Sequence, residues 1–154
     1  MQPENISLAL GDAAQDVLEN MFFVVPEDRD DAGASIAPPE VHAHLEFSGE
    51  WHGFFELQTA AESARALAEG FLGSFDGSEI EEDKTAEVVC ELANMICGAT
   101  LTRLASDKIF NLGSPAIVPT RSSKPASGTS DATASRTFDL GFGAILFTLS
   151  IGMS

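Results

Sequence analysis

The sequence predicts an α/β (α+β) domain in which a mainly antiparallel sheet packs against two to three helices. Three observations predict it. Residues 5–23 and 79–105 carry apolar side chains at helical spacing. Residues 41–58 alternate apolar and polar side chains, as a half-buried hairpin does. The chain has 154 residues, 44% of them apolar and eleven of them Phe, which suits one domain spanning 1–154 around one core.

In the first helix, Ile6, Leu10, Ala13, Ala14, Val17, Leu18 and Met21 recur at helical spacing, and Pro26 lies just past its end. The stretch 27–38 is acidic and aperiodic and reads as a mobile loop. In the hairpin, Val41, Ala43, Leu45 and Phe47 form one apolar set and Trp51, Gly53, Phe55 and Leu57 the other. A three-residue loop at Ser48, Gly49 and Glu50, with Phe47 opposite Trp51, puts both sets on one face.

A second helix is expected over Thr59 to Leu72, with Thr59 and Glu62 at capping-box spacing and Gly73 at its C-terminal cap. The third and longest helix begins at a Ser78–Glu81 capping box and ends near Ala105. Residues 112–119 read as a strand, and 121–135, rich in Ser, Ala, Thr and Gly, as a mobile loop. Thr137 to Ile151 holds one or two strands, bent at Gly141 and Gly143.

The formal net charge of −16 repels nucleic acid and anionic lipid, so neither is an expected partner. No run approaches the roughly 20 apolar residues a spanning helix needs. The N-terminal MQPENISLAL lacks the basic and apolar regions of a secretory signal, which predicts a cytoplasmic protein. Cys90 and Cys97 on one helix would stand about 10 Å apart along its axis, too far for a disulfide. Two packed thiols fit a reducing compartment.

The third helix carries the chemistry. Glu87, Glu91, Asn94 and Gly98 fall within a stripe about 60° wide, while Thr85, Val89, Leu92 and Ile96 turn toward the core. The stripe offers solvent an acid, a carboxamide and a glycine. Glu87 and Glu91 repel one another, and no basic residue on their own face relieves them. From spacing alone the simpler account is a solvated helix face.

The run TAEVVCELANMICG, Thr85 to Gly98, resembles the E-x-x-N signature of the CheC, CheX and FliY chemotaxis phosphatases. Gly49 to Gly73 is similar to the strand and helix that precede that signature in CheX, and GSPAIVPT, Gly113 to Thr120, to the Pro-bearing strand after it. The order of elements is shared over most of the chain. The resemblance implies a CheX-like phosphatase of a phosphorylated CheY-like response regulator. Asn94 then orients the attacking water and Glu91 contacts a lysine of the regulator, with Glu87 and Gly98 at the contact surface. It further implies that this chain holds no cofactor or metal and that Mg²⁺ belongs to the partner. Homodimers formed by sheet extension are a further implication. CheC has a second copy of the motif on its first helix. Here Val17 stands where that copy needs Glu, three residues before Asn20, which favours the one-site CheX pattern. On the third helix, Glu87 departs from the Asp or Ser that the family often has four residues before the motif Glu.

The alternative is a non-catalytic module that binds a regulator or motor component through the same helix. His42, His44 and His52, with Glu46 opposite His52 and Glu56 opposite His42, invite a metal site, but cross-strand His–Glu pairs on a polar sheet surface are the simpler account.

Overall fold

The computed structural model describes residues 2–28, 40–73, 81–118 and 132–153. The elements run α1 (Pro3–Met21), β1 (Glu27–Asp28), β2 (Val41–Gly49), β3 (Trp51–Thr59), α2 (Ala61–Leu72), α3 (Glu82–Leu104), β4 (Phe110–Leu112), β5 (Ala116–Ile117), β6 (Ala132–Asp139) and β7 (Ala144–Met153). The strands form one antiparallel sheet in the order β1-β6-β7-β3-β2-β4, with β5 also paired to β2. This is the expected α+β architecture.

Alternation builds the core. Ala43, Leu45, Phe55, Leu57, Phe147 and Leu149 point from one sheet face toward the helices, and each is at most 1% exposed. Leu10, Leu18, Leu92 and Ile96 meet them from α1 and α3, all at 0%. Phe55 and Phe147 stack across β3 and β7 at 6.0 Å. Each buried Leu, Ile or Phe among them contributes about 1.5–3 kcal/mol. The opposite sheet face is polar: Thr133 and Ser150 hydroxyls lie 3.0 Å apart, and Ser135 and Thr148 hydroxyls 2.9 Å apart.

The structure moves several expected boundaries. Residues 27 and 28 are not loop: Glu27 and Asp28 pair with Asp139 and Phe138, and the Arg136 guanidinium donates to Asp28 at 2.7 Å. Residues 29–38 of the expected loop lie outside the described residues, as do 121–131 of the second. Its remainder, Ala132 to Ser135, is strand β6, because Ala132 and Ala134 are small enough to pack beneath α1 while Thr133 and Ser135 face outward. Thr59 does not cap α2. It ends β3, donating to the Ala144 carbonyl at 2.8 Å; α2 starts after Ala60, which has no capping side chain, and the Ala61 amide donates instead to Glu40 Oε1 at 3.2 Å. Gly73 does end α2, in the left-handed conformation with φ 71°. The N-cap of α3 is Glu81, without a side-chain cap, and Ser78 lies outside the described residues.

The hairpin keeps both apolar sets on one face but slides by two residues, so Phe47 faces Gly53 rather than Trp51. Glycine explains the slide. A Cβ built on Gly53 would lie 2.9 Å from Phe47 Cζ and would collide with the Ser150 carbonyl oxygen. The Phe47 ring thus fills the space over the glycine, and Trp51 packs on Phe110, with ring centroids 5.7 Å apart.

Candidate functional site

The site begins with how α3 is laid on the sheet. Val89, Leu92 and Ile96 are fully buried, and this fixes the rotation of the helix. The opposite stripe is left outward: Glu87 and Glu91 are exposed and Asn94 is half-buried. All three line one open groove of about 750 Å³, together with Asp83, Ala86 and Cys90.

The facing wall is the segment from Leu112 to Ile117. The expected single strand over 112–119 is instead two short strands separated by a bulge. Leu112 pairs with Phe47 and Ala116 with His44, so three residues of this segment oppose two of β2. The extra residue sits in Gly113-Ser114-Pro115. The Gly113 amide donates to the Glu46 carbonyl at 2.7 Å, and a Cβ there would crowd that oxygen at 2.9 Å. Bulges re-aim a strand next to functional sites, and this one turns Ser114 and Pro115 toward the α3 stripe. The turn chemistry of Gly-Ser-Pro was its sequence signal.

The structure therefore brings Glu87, Glu91 and Asn94 together and leaves Gly98 beyond the groove lining. Gly98 faces Leu112 instead, and a Cβ on it would sit at an ordinary 3.5 Å from Leu112 Cδ1. Glu87 is not unpaired, contrary to expectation: Lys84 Nζ stands 3.3 Å from its Oε2, from one turn earlier on the helix. Among the described residues, Glu91 has no ion-pair partner and the Asn94 carboxamide no hydrogen-bond partner. Burial raises the thiol pKa of Cys90 and pushes that of Cys97 up to about 12, so both are poor nucleophiles.

The slipped hairpin register also changes the histidine face. Glu56 lies opposite His44, and His42 reaches it diagonally. The His42 ring nitrogen Nε2 is 2.8 Å from Glu56 Oε2, and His44 Nδ1 is 3.4 Å from Oε1. The hydrogen bond from His42 holds the Glu56 carboxyl below its ordinary range against partial burial, with a smaller contribution from His44. Among the described residues, no three His, Cys, Asp or Glu side chains are placed to hold a metal ion.

The motif helix on α1 has a different surrounding. Asn20 Nδ2 donates to the Asp16 carbonyl of its own helix at 2.9 Å, and Val17 stands in the acid's place.

The family model described as chemotaxis phosphatase CheX matches residues 41–132. No curated protein matches the chain. Among solved structures, the chain is similar to CheX in a CheX–CheY complex with BeF₃ and Mg²⁺ from Borrelia burgdorferi. The TM-score is 0.72 and the identity 22%, covering 94% of this chain and 96% of that one. A CheX from Desulfovibrio desulfuricans matches with TM-score 0.75 and 19% identity over 95% of this chain and 98% of the other. FliY from Thermotoga maritima matches with TM-score 0.64 and 13% identity over 96% and 86%. No helix among the described residues is long and apolar enough to cross a membrane.

Proposed function

The chain belongs to the CheX family of chemotaxis phosphatases, and from that premise we propose that it hydrolyses the phosphoaspartate of a CheY-like response regulator. The observation that carries the reading is one pair of side chains. Glu91 and Asn94 lie one turn apart on the same open groove, and neither is engaged by a described residue.

In this reading the regulator docks against the α3 stripe and supplies the phosphoaspartate with its Mg²⁺. The Asn94 carboxamide accepts a hydrogen bond from a water and donates one toward the phosphoryl oxygens. The water is thereby held in line with the bond to be broken. Its oxygen forms the new bond to phosphorus, the bond to the aspartyl oxygen breaks, and inorganic phosphate leaves. Such a transfer depends on positioning and charge stabilisation rather than on a nucleophile from this chain. Glu91 pairs with a regulator lysine and fixes the approach of Asn94. A cytoplasmic location follows from the partner. A homodimer by sheet extension fits as well, because among the described residues β1 covers only the Phe138–Asp139 end of the β6 edge.

The test is the decay of phosphorylated regulators encoded by the same genome, with and without this chain. Wild type accelerates the decay of its cognate regulator, and Asn94→Ala loses that acceleration while still binding. Binding without any acceleration by wild type would replace the reading with a non-catalytic docking module.

A further inference from the structure

A second groove, of about 310 Å³, adjoins the candidate site and shares Ala86 and Ile117 with it. Its other walls include Val41, Thr85 and, from α2, Arg65. Ile117 stands 42% exposed at the junction and makes an apolar ridge common to both grooves.

The charge pattern is specific. Five Lys and Arg residues are described: Arg65, Lys84, Arg103, Lys108 and Arg136. Four of them hold carboxylates, namely Glu87, Asp16, Glu50 and Asp28. Arg65 is exposed and holds none among the described residues. Glu40 and Glu82 share its groove without pairing to it. Glu40 Oε1 is occupied by the Ala61 amide at 3.2 Å, and Glu82 lies in the first turn of α3, where the helix dipole favours an acid. Among the described residues, this leaves Arg65 as the one uncommitted Lys or Arg, beside an acidic docking strip.

We infer that Arg65 is part of the docking surface and receives a carboxylate of the bound response regulator. The inference rests on the function proposed above. Arg65 lines its groove with Ala86, which precedes Asn94 by about 12 Å of rise along α3, and it does not line the groove that holds Asn94. Its counterpart is therefore an acidic side chain on the regulator surface rather than the phosphate. Glu91 and Arg65 then read a basic and an acidic group at a set separation, a two-point pattern that orients the partner and speeds its encounter.

The test measures binding of beryllofluoride-activated CheY-like regulators from the same genome to wild type, Asn94→Ala, Arg65→Glu and Arg65→Lys, alongside their phosphate decay. Asn94→Ala binds within about threefold of wild type. Arg65→Glu binds about tenfold more weakly, mainly through slower association, with a shallower salt dependence and an unchanged unfolding midpoint. Arg65→Lys recovers most of the loss. Equal binding by Arg65→Glu and wild type overturns the assignment. So does the absence of binding between wild type and every regulator. Loss of binding in Arg65→Glu, with no accelerated decay by wild type, removes the phosphatase reading and keeps the docking surface. If Arg65→Glu does not fold, Arg65→Gln carries the same comparison, and equal binding again overturns the assignment.

Discussion

The Lys84 ammonium stands 3.3 Å from the Glu87 carboxylate, so the two acids of the α3 stripe are not equivalent. Glu87 already has a cation one turn away, whereas Glu91 has none among the described residues. A partner lysine gains more from Glu91. Exposed pairs like Lys84–Glu87 are worth about 0.2–1 kcal/mol. Glu87→Gln should thus change the affinity for an activated regulator by only about two- to fivefold. Glu91→Gln removes the uncompensated acid and should weaken binding by more than about tenfold. Titration of both variants with the same regulator checks the order; a larger effect at Glu87 would reverse the assignment.

Asn94→Asp tests the carboxamide without changing its size. A carboxylate accepts hydrogen bonds but cannot donate, and here it would add a negative charge beside Glu91, facing a phosphoryl group. The rate of regulator dephosphorylation at saturation should fall by at least about 100-fold, since both the water's position and the charge balance are lost. Rapid-quench measurement of phosphate release gives that rate directly. An Asp variant as fast as wild type would mean that the Asn94 N–H groups have no part in the step.

The helices and the acid–amide stripe were legible because their signals are local. A stripe on α3 follows from 100° per residue, and the burial of Val89, Leu92 and Ile96 opposite it leaves one rotation of the helix. Features decided by distant neighbours were not legible. The first half of β6, Ala132 to Ser135, hid because its inward residues, Ala132 and Ala134, carry little apolar signal, while Thr137 to Asp139 reads as strand. The groove wall hid because a bulge at Gly113 to Pro115 depends on pairing with β2, far away in sequence. Thr59 has the side chain of a helix cap, but the partner it finds is the Ala144 carbonyl, 85 residues on.

Glu56 makes stability depend on pH. Its carboxyl titrates below the ordinary value because the His42 ring nitrogen hydrogen-bonds the ionised form. In the unfolded chain it regains protons near pH 4.3. Below that point the unfolded state binds more protons than the folded one, so stability contributed by this group rises with pH there. It is fully present above about pH 4.3 and is lost as pH falls through the depressed folded value. Glu56→Gln should cost about 1–2 kcal/mol at pH 7 and progressively less in acid. Urea unfolding of both chains across that range measures the difference, and a constant gap would show that the carboxylate charge is not its source.

Gly53 fixes the hairpin register, and its replacement should be felt across the sheet. An added methyl would meet the Ser150 carbonyl of β7 on one side and the Phe47 ring, 2.9 Å away, on the other. The ring is hemmed in by Phe110, which it meets edge-on with centroids 6.2 Å apart, so it cannot move without disturbing β4. β4 leads straight into the bulge that walls the groove. Gly53→Ala should therefore destabilise the fold by about 1–3 kcal/mol, the usual range for overpacking, and weaken regulator binding in the folded fraction. Thermal unfolding and a binding titration on one sample separate the two effects. A stable Gly53→Ala chain with wild-type affinity would mean that β3 can shift on β7 without moving the groove wall.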